Sequence, residues 1–207
     1  MVHVPRDGTG TRDRLLDSAE RLFERNGYAG TSVDQILEES GSSKGAFFHH
    51  FESKRALAGT LISRYVDADL ALLRDGLDHA KGYDDPVERL LAFLGFYENW
   101  SGDLTAESAC LYLPMVTERD TLDEQSAAEV ERAIVGWRTE AARLIRDAYA
   151  AAGVSDGPDP NDLADQLFVT FSGSFLLCRA LGSPEPMRSQ LRVFRQLVEA
   201  LVTLSVS

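Results

Sequence analysis

The segment Thr31–Phe51, TSVDQILEESGSSKGAFFHHF, constrains the fold of this 207-residue chain more than any other stretch. Ser32 followed three residues later by Gln35 fits a capping box, in which side chains and free main-chain N–H groups at a helix start satisfy one another. That opens a helix over Val33–Ser40, and Gly41 suits its stop. A second short helix is expected over about Lys44–His50, capped by Ser42 or Ser43. Phe47 and Phe51 stand four residues apart, so they share a face and anchor this helix to a core. Lys44, Gly45 and Ala46 leave it a thin leading edge. Two short helices joined by a glycine turn make a helix-turn-helix, although an ordinary helical hairpin uses the same local signals.

The rest of the chain also reads as helix. Leu15, Leu16, Ala19, Leu22 and Phe23 recur at the helical period over about Arg12–Asn26, with Gly27 as the stop. A long helix is expected from near Ser53 to about Lys81. Asp85 caps the next, with Pro86 at its first position, where the missing N–H costs nothing; it runs to about Trp100. Further helices are expected over about Ala106–Glu118, from Asp120 or Thr121 to about Ala152, over Asn161–Leu181 and over Pro186–Leu204, with Gly153–Pro160 the clearest loop. No strand pattern stands out. The expected fold is all-α, divided into an N-terminal arm (1–11), a helix-turn-helix domain (12–55) and a larger helical bundle (56–207).

At 44% hydrophobic and 26% charged residues, the chain can bury a sizeable core. It has no apolar run of about 18 residues, so no membrane span is expected. The segment MVHVPRDGTGTR has no apolar stretch after its charges, so no secretory signal is expected either. Cys110 and Cys178 make no disulfide framework, and a reducing cytoplasm is the simplest setting. The net charge of −12 argues at first against a nucleic-acid partner. Residues 1–60, however, hold eight Lys/Arg and nine Asp/Glu, whereas the remainder holds 13 and 24. Charges farther apart than about 8 Å are largely screened at physiological salt. A locally positive Lys44–Arg55 surface can therefore coexist with an acidic bundle.

Residues 12–65 carry Ala19, Leu22-Phe23, Gly27-Tyr28, Thr31-Ser32-Val33, Ile36 and Gly41, then Ser43-Lys44-Gly45, Phe48, His49-His50-Phe51, Lys54 and Leu57. In this order and spacing, the block resembles the N-terminal domain of the TetR family of transcriptional regulators. The resemblance covers about a quarter of the chain. It implies a homodimeric DNA-binding regulator, in most members a repressor that a small molecule releases from a pseudo-palindromic double-stranded operator. The expected DNA-facing residues are Thr31, Ser42, Ser43, Lys44, Gly45, Ala46, Phe48, His49, His50 and Lys54, with hydroxyls and N–H groups at helix starts meeting phosphates. Phe48 departs from the family, which often has Tyr there. It lacks the hydroxyl that commonly reaches a phosphate, but it can pack on sugar or a thymine methyl. The alternative reading is a helical small-molecule binding or interaction protein without sequence-specific DNA binding.

The bundle carries a heavy aromatic load. Core packing accounts for much of it, and a ligand cavity uses the same residue types. The expected effector contacts are Tyr97, Trp100, Cys110, Tyr112, Met115, Trp137, Phe171 and Phe175; the tyrosines and tryptophans each offer a polar handle. Some family members use a cysteine near Cys110 to sense electrophiles, but no cation flanks it closely and a buried structural cysteine is the simpler reading. The last two helices are the expected dimer interface: Leu167, Phe171 and Phe175 share a face, and Leu191, Phe194, Leu197, Val198 and Leu201 form a broad stripe. The same stripe could be covered within one subunit.

No enzyme or cofactor is expected. His49-His50 are adjacent and point about 100° apart on a helix, so they do not converge on a metal. Ser172-Gly173-Ser174 lacks a nucleophile elbow and its strand. Gly8-Thr9-Gly10 lacks the rest of a phosphate loop.

Overall fold

The structure is a computed structural model that describes residues 10–105, 110, 112 and 123–203. Among these residues the regular structure is helical throughout: α1 (Thr11–Asn26), α2 (Val33–Ser40), α3 (Lys44–His50), α4 (Lys54–Ala80), α5 (Pro86–Trp100), a 3₁₀ turn over Ser101–Asp103, α6 (Glu124–Ala152), α7 (Pro160–Leu181) and α8 (Glu185–Thr203). The helix expected over Ala106–Glu118 and the start at Asp120 or Thr121 lie outside the described residues. α6 is capped at Asp123, whose carboxylate accepts from the Ser126 N–H at 2.7 Å. Pro160, not Asn161, opens α7, because Asp159 takes the capping role and proline suits the first position.

The helices form two compact units. One comprises residues 10–69 with the described part of 110–133; the other comprises 70–105 and 134–203. A boundary at 55/56 is therefore not the one the packing draws. The first half of α4 belongs with α1: Arg64 pairs with Asp17 at 2.8 Å and with Glu20 at 2.5 Å. Ser63 donates to Glu129 on α6 at 2.6 Å. Arm and helix also divide differently, since Thr11 already lies in α1.

The first unit closes on Leu15, Leu16, Phe23, Ile36, Phe47, Leu57 and Leu61, all essentially without exposed surface. These are the periodic apolar positions of α1 to α4, so the helical pattern and the buried face coincide.

The second unit is organised around Tyr97, which is 0% exposed. Its ring meets those of Phe93, Phe96, Trp137 and Phe171 at centroid distances of 5.0, 5.1, 5.0 and 5.9 Å. The Tyr97 hydroxyl donates to the Leu72 carbonyl at 3.3 Å. Gly76 makes this approach possible, for a Cβ there would lie 2.1 Å from the Tyr97 hydroxyl and 2.6 Å from Cζ. α8 packs on α5 and α7 through Met187, Leu191, Phe194, Val198 and Val202. Glu98 ties α5 to α8 by accepting from Arg192 at 2.8 Å and Arg195 at 3.0 Å. Burial alone would raise the Glu98 pKa, but the two guanidinium bonds outweigh it and hold the carboxylate below its ordinary value.

Gly76→Ala tests the central ring packing. Alanine gains about 1 kcal/mol of helix propensity, whereas overpacking a closed core costs about 1–3 kcal/mol. With the methyl carbon this close to an immobilised ring, the variant is expected to be less stable by chemical denaturation, and Tyr97→Phe on the same background to recover part of the loss. A stabilised Gly76→Ala variant would contradict the packing.

Candidate DNA-binding face and effector region

The turn between α2 and α3 is built from the residues that the sequence marks. Ser32 and Gln35 form a complete capping box: the Ser32 N–H donates to Gln35 Oε1 at 2.7 Å and the Gln35 N–H to Ser32 Oγ at 3.2 Å. Gly41 adopts φ 63°, ψ 26°, the left-handed conformation that costs a side chain about 1–2 kcal/mol. The Gly41 and Ser42 N–H groups then close on the Glu38 and Leu37 carbonyls at 3.3 and 3.0 Å. Ser43, not Ser42, caps α3, accepting from the Ala46 N–H at 3.1 Å.

On α3 the two faces separate as the i, i+4 spacing requires. Phe47 is 0% and Phe51 4% exposed. The Arg12 guanidinium covers the Phe51 ring at 5.5 Å. Ser43, Lys44, Gly45, His49 and His50 are exposed, Ala46 is half-buried, and Phe48 is 50% exposed. Lys44 has no ion-pair partner among the described residues. Two cations of α1, by contrast, are committed: Arg21 and Arg25 both pair with Glu39 on α2, at 2.8 and 2.5 Å. No group of three or more His, Cys, Asp or Glu converges on a metal site among the described residues.

Three expected DNA-facing residues are placed differently. Thr31 is 1% exposed. Its hydroxyl turns inward to the Gly27 carbonyl at 2.9 Å and the Leu22 carbonyl at 3.3 Å, which closes the turn after α1 and leaves no hydroxyl for a phosphate. Ser42 Oγ is buried and finds no hydrogen-bond partner among the described residues, so it too is withheld from the surface. Lys54 Nζ donates to the Tyr28 and Thr31 carbonyls at 2.9 and 2.7 Å and sits 4.0 Å from the centroid of the Tyr28 ring. It clamps the loop between α1 and α2 instead of projecting as a free charge. The only sequence signal for this clamp is the joint presence of Tyr28, Thr31 and Lys54, which spacing alone does not relate.

The expected effector residues fall into both units. In the second, Tyr97, Trp100, Trp137 and Phe171 come together: Phe171 lies 6.3 Å from Trp100 and 6.1 Å from Trp137. Tyr97 offers no free polar handle, because its hydroxyl serves Leu72 and its ring has no exposed surface; it is core. Trp100, Phe171 and Phe175 are half-buried. In the first unit, Tyr112 packs edge-on to Tyr65 at 4.8 Å and donates to Asp69 at 2.8 Å. Burial, and then the Asp69 charge, push the Tyr112 phenol far above its ordinary pKa, so it stays protonated and donates. Tyr65 is raised likewise, by burial first and then by Cys110 and Asp69. Cys110 is half-buried, and it lies near enough to Tyr65 to help raise that phenol. Met115 lies outside the described residues.

The expected interface residues also sort differently. Leu167 and Leu191 are each 3% exposed, Phe194 is 6% and Val198 1%, while Phe171 joins the aromatic cluster, so these positions are covered within the chain; of the same expected set, Leu197 is exposed and Phe175 and Leu201 are half-buried. Leu197 joins an exposed apolar set with Val193 on α8 and Val169, Leu176, Leu177 and Leu181 on α7. The i, i+7, i+8, i+12 spacing on α7 marks this stripe in the sequence, but the larger aromatic residues on the opposite side mask it.

This arrangement is that of a helix-turn-helix regulator. Residues 15–61 match the model for bacterial regulatory proteins of the tetR family, and residues 86–194 match a tetracyclin repressor-like C-terminal domain. The transcriptional regulator AcuR of Cereibacter sphaeroides is 30% identical over 84% of this chain and 78% of its own length. The HTH-type transcriptional repressor DhaR of a Mycobacterium species is 25% identical over 95% of this chain and 97% of its own. The crystal structure of a regulatory protein TetR from Rhodobacter sphaeroides superposes with a TM-score of 0.71 at 27% identity, over 90% of this chain and 97% of that one. The chain belongs to the TetR family: it is a ligand-responsive DNA-binding transcriptional regulator, in a family of regulators and not of enzymes. No described helix is long and apolar enough to cross a membrane.

The clamp role of Lys54 separates stability from DNA contact. Lys54→Met is expected to lower unfolding free energy by about 2 kcal/mol, since two hydrogen bonds to a charged group are lost. Lys44→Ala is expected to leave stability unchanged. Equal denaturation midpoints for Lys54→Met and the wild type would contradict the clamp.

Proposed function

We propose that the chain is a homodimeric repressor that reads a pseudo-palindromic operator with two copies of α3 and leaves it when a small molecule binds the bundle. The observation that carries the DNA reading is the outer edge of α3, where Lys44, Gly45, Phe48, His49 and His50 are exposed around an unpaired lysine while Phe47 and Phe51 hold the helix in place. Lys44, His49 and His50 supply phosphate contacts, with Ser43 and the α3 N–H groups beside them. Gly45 and Ala46 keep the edge thin enough for bases, and Phe48 packs on sugar or a thymine methyl. Thr31, Ser42 and Lys54 act behind this edge, shaping the turns that present it.

The exposed apolar set on α7 and α8 supports dimerisation. Six large aliphatic side chains on two neighbouring helices, with the small Gly173 and Ala180 also exposed on α7, suit close helix approach across a two-fold axis. Such a dimer matches an operator whose half-sites lie about 34–36 Å apart. The repressor sense follows that of the similar DhaR, an HTH-type transcriptional repressor. Trp100, Phe171 and Phe175, half-buried beside the closed Tyr97 cluster, are the aromatic groups an apolar effector would meet.

Two measurements test this reading. Leu176→Glu combined with Leu197→Glu is expected to convert the dimer to a monomer in sedimentation at micromolar concentration and to weaken operator binding by at least about ten-fold, while the unit keeps its helix content. A wild-type chain that sediments as a monomer would remove the dimer. Lys44→Ala is expected to lower operator affinity and to reduce the slope of log K against log salt by about one. An unchanged slope would place Lys44 away from phosphate.

A further inference from the structure

A groove of about 590 Å³ in the second unit belongs neither to α3 nor to the aromatic cluster. Its charged lining runs against the acidity of the chain: Arg74, Lys81, Arg89 and Arg143 face it, opposed by Asp78 and Glu140. Two of these cations are already answered. Lys81 pairs with Asp78 at 2.6 Å, a highly exposed pair, and Arg143 is shared between Glu140 at 2.9 Å and Asp147 at 3.3 Å. Exposed pairs of this kind contribute little and rearrange readily.

Arg74 and Arg89 are different. Arg74 is exposed and has no ion-pair or hydrogen-bond partner among the described residues. Arg89 is half-buried, and among the described residues its guanidinium is held by main chain alone: Nε donates to the Tyr83 carbonyl at 2.9 Å and one terminal nitrogen to the Asp84 carbonyl at 3.1 Å. Carbonyls fix its plane without cancelling its charge, and three of its five N–H donors remain unused by these bonds. An oriented, un-neutralised guanidinium that lines the same groove as a second free one can act with it as a receptor for an oxyanion. The same groove has an apolar lining at Leu77, Ala80 and Leu144, and its volume falls within the range of sites for organic ligands, far above the needs of a lone ion.

We propose that this groove binds a small phosphate-bearing anion, with the phosphates on Arg74 and Arg89. The volume and the apolar lining favour a nucleotide-sized molecule over inorganic pyrophosphate. The site is separate from the DNA-binding face, so it stands or falls independently of operator recognition.

Calorimetric titration of the full-length chain with ADP and with pyrophosphate at low salt tests this. One molecule is expected to bind saturably per chain, with affinity falling as salt rises. Arg74→Glu is expected to weaken binding about ten-fold or more; because Arg74 has no partner to lose, the variant should unfold at the wild-type temperature. Arg89→Gln is expected to act in the same direction, and Lys44→Ala to change nothing. Tighter binding of ADP than of pyrophosphate would support the nucleotide-sized ligand; equal binding would support the inorganic source at the same two arginines. The proposal is overturned by the absence of saturable binding of either anion, by full binding in Arg74→Glu, or by loss of binding in Lys44→Ala, which would put the anion on the DNA-binding face instead.

Discussion

Everything the N-terminal unit can do depends on the burial of Phe47 and Phe51. A seven-residue helix is far too short to persist alone, because nucleating it costs more than its few hydrogen bonds return. Two rings on one face supply the missing stability and fix the rotation of α3 about its axis. With that rotation set, Lys44, Phe48 and His49 have no choice but to face outward. The left-handed Gly41 and the Ser32–Gln35 box then fix the angle at which α2 delivers the chain to it.

Electrostatics in this unit divide along the same line. Arg21, Arg25 and Arg64 are spent on carboxylates within the unit, and Lys54 on main-chain carbonyls. Lys44, which has no ion-pair partner among the described residues, stands on the outer edge of α3. An acidic protein can therefore approach a polyanion through a locally unpaired cation at the contact, because most of its acidity lies beyond residue 60. The groove at Arg74 and Arg89 follows the same economy in the second unit, with guanidinium charge left open in otherwise acidic surroundings.

Most of the helices and their caps were legible in the sequence because local rules decide them: Ser32 with Gln35, Asp85 before Pro86, and the stop at Gly41 need only neighbours three or four residues away. The inward face of α3 was legible for the same reason. What escaped was decided at long range. Thr31 and Lys54 look like surface polar residues until the fold brings Lys54 Nζ to carbonyls 23 and 26 residues earlier in the chain. Tyr97 offered a polar handle until its hydroxyl met Leu72 across Gly76. On α7 two apolar stripes compete, and only packing shows that the aromatic one turns inward while Val169, Leu176 and Leu181 stay exposed.

The central claim is that the outer edge of α3 reads base sequence and that the anchored face does not. It is tested most directly by fluorescence anisotropy with DNA from beside the chain's own gene, in the presence of excess random duplex, for the wild type and for Phe48→Ala. The account predicts sequence-selective binding by the wild type, and a Phe48→Ala variant that folds normally and binds duplex at low salt but loses most of that selectivity. Undiminished selectivity in Phe48→Ala, or no selectivity in the wild type, would contradict it.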